Sequence, residues 1–125
     1  MIDYELFLRL YREALDSASL EYYIAERGWQ DWMNPFTAEQ TARILELIYD
    51  YANKSLKEIR EKYYSRAEFC RNYGIPLRTV ENWDAKENNT EYAKSLVMYT
   101  FFIKEQIKLY MKQKLAEETK LLQMK

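Results

Sequence analysis

The sequence predicts an all-α protein, on three observations. Only two Gly and two Pro occur among 125 residues, whereas a β protein of this size needs many turns, which draw on those two residue types. Apolar residues make up 48% of the chain, enough for a packed core. Apolar positions recur at helical spacing in several segments, and capping motifs separate those segments.

The first third of the chain contains two predicted amphipathic helices. Apolar positions at i, i+3/i+4 and i+7 place the first helix at residues 3–15 and the second at residues 20–27. Gly28 then stands where a left-handed C-terminal cap belongs. Trp29 and Trp32 follow, three residues apart on one predicted helical face. This spacing is more typical of a core anchor than of a binding surface.

Capping boxes predict where the next three helices begin. A Ser or Thr followed three residues later by Glu or Gln satisfies two N–H groups that have no partner inside the helix. Such boxes start at Thr37, Ser55 and Ser65 and predict helices that end near residues 52, 64 and 73. A last helix is predicted from Glu91 almost to the C-terminus, because neither Gly nor Pro interrupts that stretch.

Residues 65–84 predict a helix-turn-helix. Helix 66–73 ends at Gly74, and Pro76 presets the start of helix 77–84. Two helices joined by a short turn with Gly form this unit. Four apolar side chains are expected to face inward: Phe69, Ile75, Val80 and Trp83. The predicted architecture is a helix-turn-helix bundle with an N-terminal helical extension, residues 1–53, and a domain of residues 54–125 that ends in the long helix.

Charge and composition narrow the possible functions. Residues 1–53 carry a net charge of −6 and residues 54–125 a net charge of +5. This asymmetry favours a nucleic-acid partner, and the alternative is a solvated charge pattern with no partner. The chain has no His, and Cys70 is its only cysteine. It therefore lacks the common catalytic base and the ligands of a Cys/His zinc site. We expect a cytoplasmic protein that is not an enzyme and has no metal, no cofactor and no membrane contact.

Residues 55–96 resemble the lambda-repressor/Cro-like helix-turn-helix family, and small helix-turn-helix proteins of phages, plasmids and conjugative elements. The resemblance is carried by Ile59-Arg60-Glu61-Lys62, Ser65, Glu68-Phe69-Cys70, Gly74-Ile75, Arg78-Thr79-Val80 and Asn82-Trp83-Asp84. The chain departs from the family at Arg66, where Gln is usual, and at Lys86 and Thr90, where Gly and Pro are common. Glu81, Asp84 and Glu87 also place acids on or near the second helix, which predicts modest non-specific affinity for DNA.

The resemblance implies a sequence-specific transcriptional regulator of a mobile element that binds double-stranded DNA. Helix 77–84 would enter the major groove, with base contacts from Pro76, Leu77, Arg78 and Asn82. Phosphate contacts would come from Ser65, Arg66, Thr79 and Lys86. Arg78 and Asn82 could alternatively belong to an ordinary solvated helix face.

Two further questions stay open at the level of sequence. Family members dimerise, and the last helix offers Tyr99, Phe102, Ile103, Tyr110 and Met111 as a homodimer interface. Its apolar stripe could instead pack on the N-terminal helices, and its lysines could follow phosphates. The alternative function is a protein-binding inhibitor or adaptor of a mobile element, similar to anti-CRISPR proteins, which would act on a host protein. In that case the helix-turn-helix is a scaffold.

Overall fold

The computed structural model describes residues 2–86 and 91–123, and it confirms the all-α class, since helices are the only regular elements within those ranges. A short 3-10 helix, Asp31–Met33, separates the second and third α-helices. The α-helices are α1 (Tyr4–Asp16), α2 (Leu20–Ala25), α3 (Ala38–Asn53), α4 (Leu56–Arg60), α5 (Arg66–Tyr73), α6 (Leu77–Lys86) and α7 (Glu91–Gln123).

Side-chain caps fix the predicted helix starts. The side chains of Ser19, Thr37, Ser55 and Ser65 each accept a hydrogen bond from a backbone N–H three residues later, as an N-cap does. Reciprocal capping boxes are complete at Thr37 and Ser65. At the other end of α5, Gly74 adopts a φ of 63°, the left-handed conformation that a side chain resists.

Two predicted helices are shorter in the structure. α2 ends at Ala25, and only the 3-10 turn forms near the tryptophans. α4 ends at Arg60 rather than near Tyr64. The backbone N–H groups of Tyr63 and Tyr64 both donate to the Arg60 carbonyl, which tightens the chain into a turn. This turn lets the Tyr63 ring stack on Phe101 of α7, with centroids 4.7 Å apart.

One hydrophobic core joins the N-terminal helices to the C-terminal helix. α1 packs on α3, and both contact the first half of α7. The Phe7 ring lies 5.2 Å from the rings of both Tyr99 and Phe102, measured between centroids. Residues 1–53 and 54–125 therefore share their interior, and the apolar stripe of α7 packs back on the N-terminal helices over its first turns.

α5 and α6 have the predicted order, with the turn at Gly74, Ile75 and Pro76 between them. The four expected inward residues do contact the core: Phe69 and Val80 are buried, and Ile75 and Trp83 are half-buried. Trp32 is likewise half-buried against the core, as expected. The same expectation is wrong for Trp29, which is exposed. Among the described residues, no helix has the length and apolar character that a membrane span requires.

Candidate nucleic-acid interface

The outward side of α6 brings together the predicted base-contact residues. Leu77, Arg78 and Asn82 are all exposed, and Pro76 is exposed at the turn that precedes them. The opposite side of the helix is anchored by Val80, which is fully buried. Since residues three and four apart lie side by side on a helix, Arg78 and Asn82 form one row along the exposed side. Arginine and asparagine side chains can make paired hydrogen bonds to purine edges.

Glu81, one of the acids that the sequence placed on or near this helix, occupies the same exposed side. It lies one turn after Leu77 and beside Asn82, at the middle of the exposed surface. It makes no ion pair among the described residues. A carboxylate here can accept a hydrogen bond from the cytosine amino group, and it repels phosphate.

Asp84 does not contribute a free charge to α6, in contrast to the expectation from the sequence. Its two carboxylate oxygens accept hydrogen bonds from Nη1 and Nη2 of Arg60, at 2.8 and 3.0 Å. The Asp84 and Arg60 side chains are only 7% and 3% exposed. Nη2 of Arg66 lies 3.1 Å from Oδ2 of the same carboxylate. Two guanidinium groups therefore surround one carboxylate, a bidentate arrangement with high geometric specificity.

The ion pair also determines how Asp84 titrates. Burial opposes ionisation and by itself raises the pKa of Asp84. Hydrogen bonds and charge from Arg60, and then from Arg66, outweigh burial and hold this pKa below its ordinary value. Asp84 is consequently ionised at neutral pH, and the guanidinium groups of Arg60 and Arg66 compensate its negative charge.

The predicted phosphate-contact residues occupy different environments. Ser65 is exposed at the start of α5, where its hydroxyl accepts a hydrogen bond from the Glu68 N–H. Arg66 is about half-exposed, and its ion pair with Asp84 holds it beside α6. Thr79 is half-buried. The side chain of Lys86 lies outside the described residues.

Arg60 is the residue whose role the sequence did not reveal. In the sequence, Arg60 belongs to residues 59–62, which carry part of the resemblance to the helix-turn-helix family, and no contact is predicted for it. Its partner Asp84 is 24 residues away on a different helix, so no local spacing connects the two. The available signal was that Arg60 and Asp84 both belong to the segments that carry the family resemblance.

The predicted dimer interface on α7 requires a correction. Phe102 is completely buried inside the chain, so it has no surface left for a second copy. The Tyr99 ring packs against Tyr4 and Phe7, and its hydroxyl donates to the Ile2 carbonyl at 2.8 Å. Ile103 is half-buried, and the side chains of the last two predicted residues, Tyr110 and Met111, lie outside the described residues.

Comparisons with models of protein families, with curated proteins and with solved structures find no match to this chain. The site combines an exposed helix face bearing Leu77, Arg78, Glu81 and Asn82 with a neighbouring helix start at Ser65 and Arg66. The ion pair between Arg66 and Asp84 connects those two elements.

Proposed function

We propose that this chain is a sequence-specific DNA-binding transcriptional regulator of a mobile element, which reads the major groove with α6. The observation that carries the proposal is the exposed row of Arg78 and Asn82, with Leu77 beside it. Arg78 fits guanine O6 and N7, Asn82 fits adenine N6 and N7, and Leu77 fits a thymine methyl group. Buried Val80 holds the helix rigidly enough to present these side chains.

The ion pair of Asp84 supports the same proposal. It joins the end of α6 to Arg66 at the start of α5. In helix-turn-helix complexes the first helix crosses the phosphate backbone while the second reads bases. Ser65 and the N-terminal N–H groups of α5 would then meet a phosphate beside the groove. Pairing of Asp84 with two arginines also removes one negative charge that would otherwise face the DNA.

The experiment is a salt titration of binding to a labelled duplex that covers the region upstream of the protein's own gene. Arg78→Ala is expected to weaken specific binding by about 1–3 kcal/mol, because a bidentate contact to a base is lost. Binding to random duplex should change far less. Arg43→Ala removes another exposed arginine, on α3, and serves as the control.

The logarithm of the binding constant plotted against the logarithm of salt concentration gives the number of phosphate contacts. Equal losses for Arg78→Ala and Arg43→Ala would contradict base reading by α6. Absence of binding to both the upstream region and random duplex at low salt would reject a DNA partner altogether.

The second candidate is a protein-binding inhibitor or adaptor that acts on a host protein. The observation that favours it is Trp29, which is 57% exposed in the acidic N-terminal half. Its Nε1 donates to Oδ1 of Asn34 at 2.8 Å, which orients the ring. Exposed Trp residues are frequent anchors of protein interfaces. Under this alternative, Trp29→Ala abolishes the biological effect while Arg78→Ala leaves it intact, and the DNA-binding proposal expects the reverse.

A further inference from the structure

A cavity of about 440 Å³ lies where four helices meet. Its walls are the end of α3, the start of α4, the end of α6 and the start of α7. We call it the lysine cavity, because Lys54, Lys57 and Lys94 all line it, together with the apolar side chains of Leu56 and Trp83. Its volume lies within the range typical of sites that bind small organic molecules.

The lysine cavity lies behind the exposed row of α6. Trp83 and Asp84 line the cavity, and fully buried Val80 lies between them on the helical projection. At 3.6 residues per turn, Arg78 and Asn82 project to the opposite side of the helix. A duplex in contact with Arg78 would face away from the cavity. The geometry therefore favours a small molecule over DNA as the occupant.

The charge of the lysine cavity is positive. Lys54 pairs with Asp50, whose Oδ1 lies 2.7 Å from the lysine Nζ. Lys57 and Lys94 make no ion pair with any residue in the ranges 2–86 and 91–123. The carboxylate of Asp84 also lines the cavity, but the two arginines already described compensate its charge. Two ammonium groups thus remain for an anion.

Lys94 has incomplete compensation for the burial of its charge. The side chain is half-buried, and its Nζ donates to the Ala52 carbonyl at 3.4 Å, a long hydrogen bond for a group with three donors. Burial lowers the pKa of Lys94, and the nearby charge of Glu58 raises this pKa by less. A bound anion would supply both a counter-charge and better acceptors.

We propose that the lysine cavity binds a small organic phosphate, with the phosphate group between Lys57 and Lys94 and a flat ring against Trp83 and Leu56. A phosphate monoester carries about two negative charges at neutral pH, which matches two ammonium groups, whereas a carboxylate carries one. Lysine is a common phosphate ligand that acts as a point charge. The indole of Trp83 offers an apolar face on which a ring can stack.

Isothermal titration calorimetry of the full chain tests the proposal, with adenosine monophosphate as the probe. Adenosine lacks the phosphate, and inorganic phosphate lacks the ring. Each is expected to bind at least about tenfold more weakly than the probe, because one of the two contacts is absent. The titration contains no DNA, so its result is independent of DNA binding by α6.

Substitutions of single lysines assign the site within the chain. Lys57→Gln and Lys94→Gln should each weaken binding of adenosine monophosphate about tenfold, because a charge-assisted hydrogen bond is lost. Lys62→Gln removes the same charge from an exposed position just beyond α4, outside the cavity lining, and should have little effect. Lys57 is exposed, so its substitution tests the site even where Lys94→Gln alters the fold. Circular dichroism compares the helix content of all three variants.

Four outcomes overturn the proposal. A dissociation constant for adenosine monophosphate above about 1 mM would exclude a specific site of this kind. Equally tight binding of adenosine would show that the lysines do not hold the phosphate, and equally tight binding of inorganic phosphate would show that the ring makes no contact. A loss in Lys62→Gln as large as in Lys57→Gln would indicate a non-specific charge effect.

Discussion

On the proposed function, Glu81 has opposite effects on the affinity for random DNA and on sequence specificity. It lies in the middle of the exposed side of α6, beside Asn82 and one turn beyond Leu77. Its carboxylate repels any phosphate that approaches. A hydrogen bond from a cytosine amino group to the same carboxylate would favour binding to one particular sequence. On the proposed function, a negative charge at this position therefore lowers binding to random DNA.

Glu81→Gln is expected to strengthen binding to random duplex severalfold and to reduce the preference for the specific site. The amide removes the repulsion of phosphate but keeps the size of the side chain. Competition binding with labelled specific and random duplexes measures both effects. Glu46→Gln, on an exposed position of α3, is the matched control. Unchanged affinity for random DNA in the Glu81 variant would place this carboxylate away from the duplex.

At the level of elements, the Asp84 ion pair joins three short helices, which also share the hydrophobic core through the buried side chains of Ile59, Phe69 and Val80. α4 supplies Arg60, α5 supplies Arg66, and α6 supplies Asp84. The buried Nε of Arg60 has no hydrogen-bond partner among the described residues, and Asp84 compensates the charge of this guanidinium. Removing one member of such a pair leaves a buried charge uncompensated.

Asp84→Asn is expected to lower the free energy of unfolding by about 3 kcal/mol at pH 7. The pKa of Asp84 is lower in the folded state than in the unfolded chain, so the ion pair stabilises the fold above the unfolded pKa of about 4. This contribution is lost as pH falls through the folded pKa. Urea unfolding at neutral and acidic pH should show the difference between native chain and variant shrinking in acid.

The exposed acid on the same helix provides the control for that measurement. Glu81→Gln should change stability by less than about 0.5 kcal/mol, as is usual for surface substitutions. A similarly small effect of Asp84→Asn would show that the ion pair contributes no net stability. In that case Arg66, the exposed one of the two arginines, would become a stronger candidate for contact with a phosphate.

The whole molecule depends on contacts between its first and last helices. Phe7 of α1 packs on Tyr99 and Phe102 of α7, and the Tyr4 hydroxyl hydrogen-bonds to Oγ of the buried Ser95 at 2.8 Å. A chain that begins at residue 54 would expose this surface of α7 to water. The division into residues 1–53 and 54–125 therefore does not coincide with a division of the core.

The fragment 54–125 is expected not to unfold cooperatively, because α7 loses the apolar partners that α1 and α3 provide. The fragment 1–115 lacks residues 116–123 of α7, all of which are exposed, and it should keep the melting temperature of the full chain. Thermal unfolding followed by circular dichroism compares the two truncations. A cooperative transition in fragment 54–125 would establish it as an independent domain and leave residues 1–53 as an appendage.

The sequence by itself determined those features of the fold that depend on interactions between residues close in sequence. Helix starts depend on a side chain bonding a backbone N–H three residues away, so the capping boxes at Thr37 and Ser65 identify their helices without knowledge of the fold. Gly74 marks the end of α5 for an equally local reason. The helical spacing of apolar residues likewise predicts that Val80 faces inward and Arg78 outward. The helical class and the exposed side of α6 follow from these signals.

Only the tertiary structure decided which distant residues meet. Arg60 and Asp84 are separated by 24 residues, and Phe7 and Phe102 lie near opposite ends of the chain. An apolar stripe on α7 has the same appearance in sequence whether it covers its own N-terminal helices or a second copy. The structure assigns the first half of that stripe to the core and leaves the second half exposed. The physical reason is that hydrophobic burial is non-directional, so its partners are selected by the packing of the whole chain.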